Sequence, residues 1–209
     1  MSAKKIAIVN YGMGNVDSVG NALAHLGGEY FVTNEPKRLD DAHAIVLPGV
    51  GAFGAAMDNL RRMELVPALE RQVKDKGKPY LGICLGMQLL AKDSVEQGFF
   101  EGLGWLDAHV LELPPGPDVR LPHVGWNTAT VKRPSPILER VTEDSHFFFD
   151  HSYHLACDES VVTSTCTYGA TFVSSVQKDN VLAVQFHPEK SQRNGLKMLR
   201  AFLNFVASH

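Results

Sequence analysis

Apolar positions in the first ninety residues follow two alternating rhythms. Short unbroken runs at 5–10, 44–47 and 79–83 have the length and continuity of strands buried on both faces. Between them, apolar residues recur three and four apart. Val19, Leu23 and Leu26 share one face of a helix predicted over 16–26, and Gly27-Gly28 ends it. A second helical pattern covers 55–76, where Pro67 is expected to break or restart the helix. Strands and helices alternating at this spacing predict an α/β fold with a largely parallel sheet.

Beyond residue 100 the rhythm changes. Runs at 103–113, 123–131, 147–157, 161–166, 171–176 and 181–186 are short, β-rich and separated by turns. They predict mixed or antiparallel strands that extend the sheet. The proline-rich stretch 113–117 reads as a surface connection, because neither flank resembles a separate domain. Ser191 is a plausible N-cap for a closing helix whose buried face carries Leu196, Leu199, Leu203 and Val206. The expectation is one domain over residues 1–209, long enough for a sizeable core.

Charge and composition narrow the function. Twenty Lys plus Arg against 23 Asp plus Glu give a formal charge of -3, and no basic cluster is interleaved with aromatics. Nucleic acid is therefore not an expected partner. The apolar stretch after the N-terminus is too short for a signal peptide or a membrane span, which predicts a cytoplasmic protein without a membrane partner. The three cysteines, Cys84, Cys157 and Cys166, do not form a disulfide framework. No CxxC or HExxH spacing suggests zinc, and neither a metal nor another cofactor is expected. Cys157 and Cys166 lie in or beside apolar runs and read as inert buried thiols.

Cys84 reads differently. Its run is Lys78-Pro-Tyr-Leu-Gly-Ile-Cys-Leu-Gly-Met-Gln88, with Gly82 two residues before it and Gly86 two after. A strand that ends in such a turn, followed by a helix-compatible stretch at 87–91, has the pattern of a nucleophile elbow. A helix N-terminus behind the sulfur favours thiolate over thiol. Such a nucleophile needs a base, and the base needs an orienting acceptor. His187 follows the apolar run 181–186, and Glu189 stands two residues on, across Pro188. An oxyanion needs donors as well, and Pro48-Gly-Val-Gly51 follows an apolar strand where a loop beside the elbow is expected. The amides of Gly49, Val50, Gly51 and Leu85 are the candidates. Tyr11-Gly-Met-Gly-Asn15 tempts a dinucleotide reading, but the third glycine is missing and Asp17 puts negative charge where phosphate belongs.

Gly-Ile-Cys-Leu-Gly-Met-Gln88 together with Gln-Phe-His-Pro-Glu189 resembles the class I glutamine amidotransferases, nearly end to end. Further segments resemble one branch, the glutaminase subunits of imidazole glycerol phosphate synthase: Tyr11-Gly-Met-Gly-Asn15, Pro48-Gly-Val-Gly51, Pro122-His-Val-Gly-Trp-Asn127 and His151-Ser-Tyr153. The resemblance implies a three-layer fold in which Cys84, His187 and Glu189 form a triad acting on L-glutamine. It implies that Gln88, Glu96, His151, Ser152 and Tyr153 hold the substrate. It also implies a heterodimer with a (β/α)8 cyclase subunit that receives the ammonia, with Asn15, Trp126 and Asn127 on the docking face. On its residues alone, Trp126 is equally a core tryptophan. Asp150 departs from the apolar residue usual before His151-Ser-Tyr153. Glutaminases of the same architecture that feed other synthases, a non-catalytic module on this fold, and an unrelated cysteine hydrolase remain alternatives.

Overall fold

The computed structural model of the chain describes residues 4–114, 116 and 119–209. Its N-terminal half runs β1 (Lys5–Val9), α1 (Val16–His25), β2 (Glu29–Thr33), β3 (Ala44–Gly49), α2 (Phe53–Arg62), α3 (Leu65–Glu70), β4 (Tyr80–Cys84) and α4 (Leu85–Gln88). The middle is mostly strand, with short 3-10 turns at Pro136–Leu138 and Glu159–Val161: β5 (Asp93–Ser94), β6 (Phe100–Glu101), β7 (Ala108–Glu112), β8 (His123–Thr128), β9 (Thr130–Val131), β10 (His146–His151), β11 (Tyr153–Cys157), β12 (Val162–Tyr168), β13 (Ala170–Lys178) and β14 (Val181–Val184). Helix α5 (Gln192–Ser208) closes the chain.

An eight-stranded sheet in the order β2-β1-β3-β4-β14-β13-β12-β9 forms the middle layer. Its first five strands are parallel and its last three antiparallel. Strand alternation divides the core in two. Ala7, Val9, Ile45 and Leu47 face α2 and α3, packing on Phe53, Met57, Leu60 and Leu69. Ile6, Ile8, Val46 and Ile83 face the other way, onto Val19 and Leu23 of α1 and Met198, Leu199 and Phe202 of α5. Three layers follow directly from parallel strands that are apolar on both faces.

Several details depart from expectation. Strand β2 was not predicted; it is an edge strand with a half-exposed, weakly patterned sequence. The 55–76 helix breaks at Met63–Glu64, where Glu64 turns to φ 56°, rather than at Pro67. Pro67 falls in the first turn of α3, where a missing N–H costs no helical hydrogen bond. The β-rich middle does not simply extend one sheet. Only β9, β12, β13 and β14 join it; β8 and β10 form a separate ribbon, and β11, β7, β5 and β6 a third sheet. The buried stripe of α5 centres on Met198, Leu199, Phe202 and Val206, leaving Leu196 and Leu203 only partly covered. In the 113–117 connection, Pro115 and Pro117 lie outside the described residues. Among the described residues no helix is long and apolar enough to cross a membrane.

Candidate active site

The C-terminal ends of three neighbouring parallel strands converge where open α/β sheets hold their ligands. Gly49 of β3 is in register with Cys84 of β4, and Val184 of β14 with Ile83. Cys84 itself has φ 53° and ψ -110°, a conformation costly for a residue with a Cβ. Its glycine neighbours are there because nothing larger fits. A Cβ on Gly82 would stand 2.6 Å from the Gly86 carbonyl oxygen, and one on Gly86 would stand 1.8 Å from that of Leu47. The elbow is therefore real, but the helix behind it is short. Helical structure spans Leu85–Gln88 rather than 87–91, so the dipole behind the sulfur is that of a single turn.

Beyond β14 the chain bridges to β10, with the His187 amide donating to the Phe148 carbonyl at 2.8 Å. His187 Nδ1 donates to Glu189 Oε1 at 2.8 Å, and the two side chains are 2% and 1% exposed. Burial alone would lower the imidazole's pKa. The charge of Cys84, and then that of Glu189, outweigh burial and push it up to about 10. Nε2 of His187 makes no well-aligned hydrogen bond among the described residues, although it stands close enough to Cys84 for the sulfur to raise its pKa. The sulfur instead receives Gln185 Nε2 at 3.6 Å and lies 3.9 Å from the Asp150 carbonyl oxygen.

Of two residues that hold this arrangement, Gln185 has no role in the sequence reading and Ser191 has only that of an N-cap. Gln185 is fully buried at the end of β14; its Oε1 accepts from Gln88 Nε2 at 3.0 Å while its amide nitrogen faces Cys84. Ser191 stands at the N-cap of α5 but does not cap it. Its hydroxyl donates to the His187 carbonyl at 2.6 Å and accepts from the Phe148 amide at 2.9 Å, tying α5 and β10 to the histidine turn. A polar residue inside an otherwise apolar strand was the available signal for Gln185.

Cys84 opens into a cleft of about 140 Å³ lined by Val50, Gly51, Leu85, Gln88, Glu96 and residues 150–153. That is well below the roughly 300–1,000 Å³ of pockets for drug-sized ligands, and suits a small substrate. The structure thus brings together Gln88, Glu96, His151, Ser152 and Tyr153 around the sulfur, with Val50, Gly51 and Leu85 on the opposite rim. Gln88 Nε2 also donates to the Tyr153 carbonyl at 2.9 Å. Glu96 Oε2 accepts from the Phe53 amide at 2.7 Å, at the start of α2. Gly49 has no room for a side chain, because a Cβ there would stand 2.4 Å from the Tyr11 hydroxyl. Met13, in the glycine-rich turn after β1, packs against Gly51, so that turn supports the cleft's rim.

The expected docking residues separate. Trp126 is 46% exposed, beside exposed Val124, with an edge-to-face contact to Phe148, so it is not a core tryptophan. Asn127 points the other way, as strand alternation requires. Its Nδ2 donates to the Thr167 carbonyl at 2.9 Å, and the side chain does not share the face of Trp126. Asn15 is half-buried at the start of α1. The Asp150 carboxylate is exposed and lies 3.9 Å from Lys190 Nζ, so it needs no buried partner. A larger hollow of about 630 Å³ lies among β11, β12 and β13 and shares no lining residue with the Cys84 cleft. Its cysteine, Cys157, has its thiol pushed up to about 11 by burial and by Asp158; burial pushes Cys166 up to about 12. Both are poor nucleophiles.

Residues 7–205 match the family model described as glutamine amidotransferase class-I. The chain is 46% identical over 204 residues to imidazole glycerol phosphate synthase subunit HisH of Geobacter sulfurreducens, covering 95% of this chain and 97% of that protein. It is 49% identical over 200 residues to the subunit of the same name from Aquifex aeolicus, covering 95% of each. Among solved structures, PurLQS from Thermotoga maritima superposes with a TM-score of 0.76 at 20% identity, covering 97% of this chain and 99% of that one. A glutamine amidotransferase from the same organism superposes at 0.71 and 15% identity, covering all of both chains. At such identity these structures speak for the fold alone. With a family match across almost its whole length, the chain belongs to the class-I glutamine amidotransferases.

Proposed function

We propose that this chain is the glutaminase subunit of an imidazole glycerol phosphate synthase, and that Cys84, His187 and Glu189 are its catalytic residues. The Cys84 thiolate attacks the side-chain amide carbon of L-glutamine. Gly49, Val50, Gly51 and Leu85 supply the amides that meet the oxyanion. The His187 imidazolium gives its proton to the departing nitrogen, which leaves as ammonia, and a γ-glutamyl thioester remains. His187 then takes a proton from water as the water attacks the thioester, and glutamate departs with the thiolate restored. Glu189 holds the ring's tautomer throughout. Gln88, Glu96, His151, Ser152 and Tyr153 bind the amino-acid portion of the substrate, Glu96 offering a carboxylate to its ammonium.

The observation that carries this reading is the strained Cys84 at one strand end with the buried His187–Glu189 pair beyond the next. An imidazole that stays charged at neutral pH beside a sulfur suits an acid that must protonate a poor leaving group. The relatives' shared name supports the partner: a (β/α)8 cyclase that adds the ammonia to a phosphorylated ribulosyl aminoimidazole carboxamide nucleotide. It yields imidazole glycerol phosphate and aminoimidazole carboxamide ribonucleotide. The exposed Trp126 and Val124 give such a partner an apolar anchor beside the cleft.

The test mixes this chain with the cyclase subunit and follows glutamate release and product formation. Cyclase should accelerate glutaminase turnover. Cys84→Ala should abolish synthesis from glutamine while leaving synthesis from free ammonia intact. Glutaminase activity indifferent to the cyclase, or retained by Cys84→Ala, overturns the reading.

A further inference from the structure

His123 lies in the Pro122–Asn127 segment, yet it does not line the cleft. It is 2% exposed, opens β8, and pairs directly across the ribbon with His151, which ends β10 and is 6% exposed. Its ring is stacked between Tyr168, 4.0 Å away, and Phe149, 4.9 Å away. Packing alone would be served as well by phenylalanine. The polar atoms account for the histidine.

Those atoms form one continuous hydrogen-bonded chain. Asn127 Nδ2 lies 3.4 Å from His123 Nε2. His123 Nδ1 lies 3.3 Å from His151 Nε2, and His151 Nδ1 lies 2.8 Å from the Tyr153 carbonyl oxygen. A carbonyl only accepts, so His151 carries its proton on Nδ1. A neutral His151 then has only a lone pair on Nε2, and His123 must donate to it from Nδ1. His123 Nε2 is left as the acceptor for the Asn127 amide, whose Oδ1 already accepts from the Thr128 amide. The reverse direction sets lone pair against lone pair at Tyr153 and donor against donor at Asn127.

Both rings are held neutral by their surroundings. Burial brings His123 down to about 4. Burial brings His151 down to about 3, assisted by His123, His154 and His187 and opposed by the Tyr153 carbonyl. The chain ends on the carbonyl that also holds Gln88, one turn from Cys84.

We infer that His123 is a positioning residue for glutamine binding: through its Nδ1–H it fixes His151 as the Nδ1–H tautomer and so sets the Tyr153 carbonyl and the Gln88 side chain at the substrate cleft. This rests on the site reading given under the proposed function. It assigns His123 no contact with substrate, and it makes His151 Nε2 an occupied acceptor rather than a group free for chemistry.

The test uses the full chain with its cyclase partner. His123→Phe keeps an aromatic ring between Tyr168 and Phe149 and removes the Nδ1–H donor, together with the acceptor for the Asn127 amide, which keeps its bond to the Thr167 carbonyl. The KM for glutamine should rise about fivefold to tenfold, with kcat changed less than about threefold, the effect of one lost hydrogen bond. His123→Gln, which restores a donor, should recover most of the affinity. An unchanged KM in folded His123→Phe, or equal damage in the Phe and Gln variants, overturns the inference. Nitrogen-15 imidazole spectra of the unaltered chain provide an arm that needs no variant: His151 should appear neutral and protonated on Nδ1 at pH 7, and an Nε2–H or charged His151 also overturns it. Cys84→Ala run alongside separates the two levels. Glutaminase activity surviving in Cys84→Ala overturns the site reading and this inference together, whereas loss there with an unaffected His123→Phe overturns this inference alone.

Discussion

The two sides of the Cys84 cleft are built on different principles. One consists of the strand ends of β3, β4 and β14, fixed by parallel main-chain pairing and by glycines with no space around them. The other, residues 150–153, lies in antiparallel pairings with β8 and β7 and carries side-chain ties in addition: His151 and Gln88 both donate to the Tyr153 carbonyl, and Lys190 lies beside Asp150. The first side sets where the sulfur and imidazole stand. The second decides what lies against them and can be retuned one hydrogen bond at a time. Side-chain ties added on the substrate side alone let recognition vary without moving the chemistry.

The sharpest way to test this division is Glu189→Gln. It keeps the shape of the site and removes a charge, so turnover should fall by about 10²–10⁴-fold, the usual contribution of acid–base assistance, with little change in KM. The pH profile adds a sign. His187 has its folded pKa raised to about 10, above an ordinary value near 6.5. The stability from its charged partners is therefore full below about pH 6.5 and is lost as pH rises through about 10. Glu189→Gln should move the alkaline fall in activity to lower pH, and an unmoved limb would mean that Glu189 does not hold that charge.

Gly86→Ala probes the main-chain frame itself. The new methyl meets a backbone oxygen rather than a movable side chain, so stability should drop by about 3 kcal/mol, or about 10 °C in Tm. Activity should fall with it, because the elbow and β3 must part. Unaltered thermal melting would show that the frame is softer than its packing implies.

Gln185→Leu should have the smallest effect and is the most informative about how the sides join. Gln185 links Cys84 to Gln88, and through Gln88 to Tyr153. Its removal should raise KM about fivefold while kcat stays within about threefold. A larger fall in kcat than in affinity would place Gln185 with the reacting groups instead.

The same division explains what could be read from the sequence. The elbow was legible because its glycines answer to local sterics, and His187 and Glu189 because their spacing is local too. The parallel half was legible because its strands are unbroken apolar runs, except β2, whose edge position leaves a weak pattern. The side-chain frame was harder. Gln185 reads as a stray polar residue in a strand until Cys84 and Gln88 are beside it. Strand alternation puts Asn127 and Trp126 on opposite faces of β8, which a reading of the motif as one docking patch does not anticipate. The splitting of the β-rich segment into three sheets depends on long-range pairing that no local pattern encodes.

The Ser191 hydroxyl ties the histidine turn to the first residues of the C-terminal helix, which is itself anchored by Met198, Leu199, Phe202 and Val206. The seat of the imidazole is thereby made contingent on how α5 docks. Loosening that helix from the sheet should disturb the histidine turn while leaving the elbow untouched.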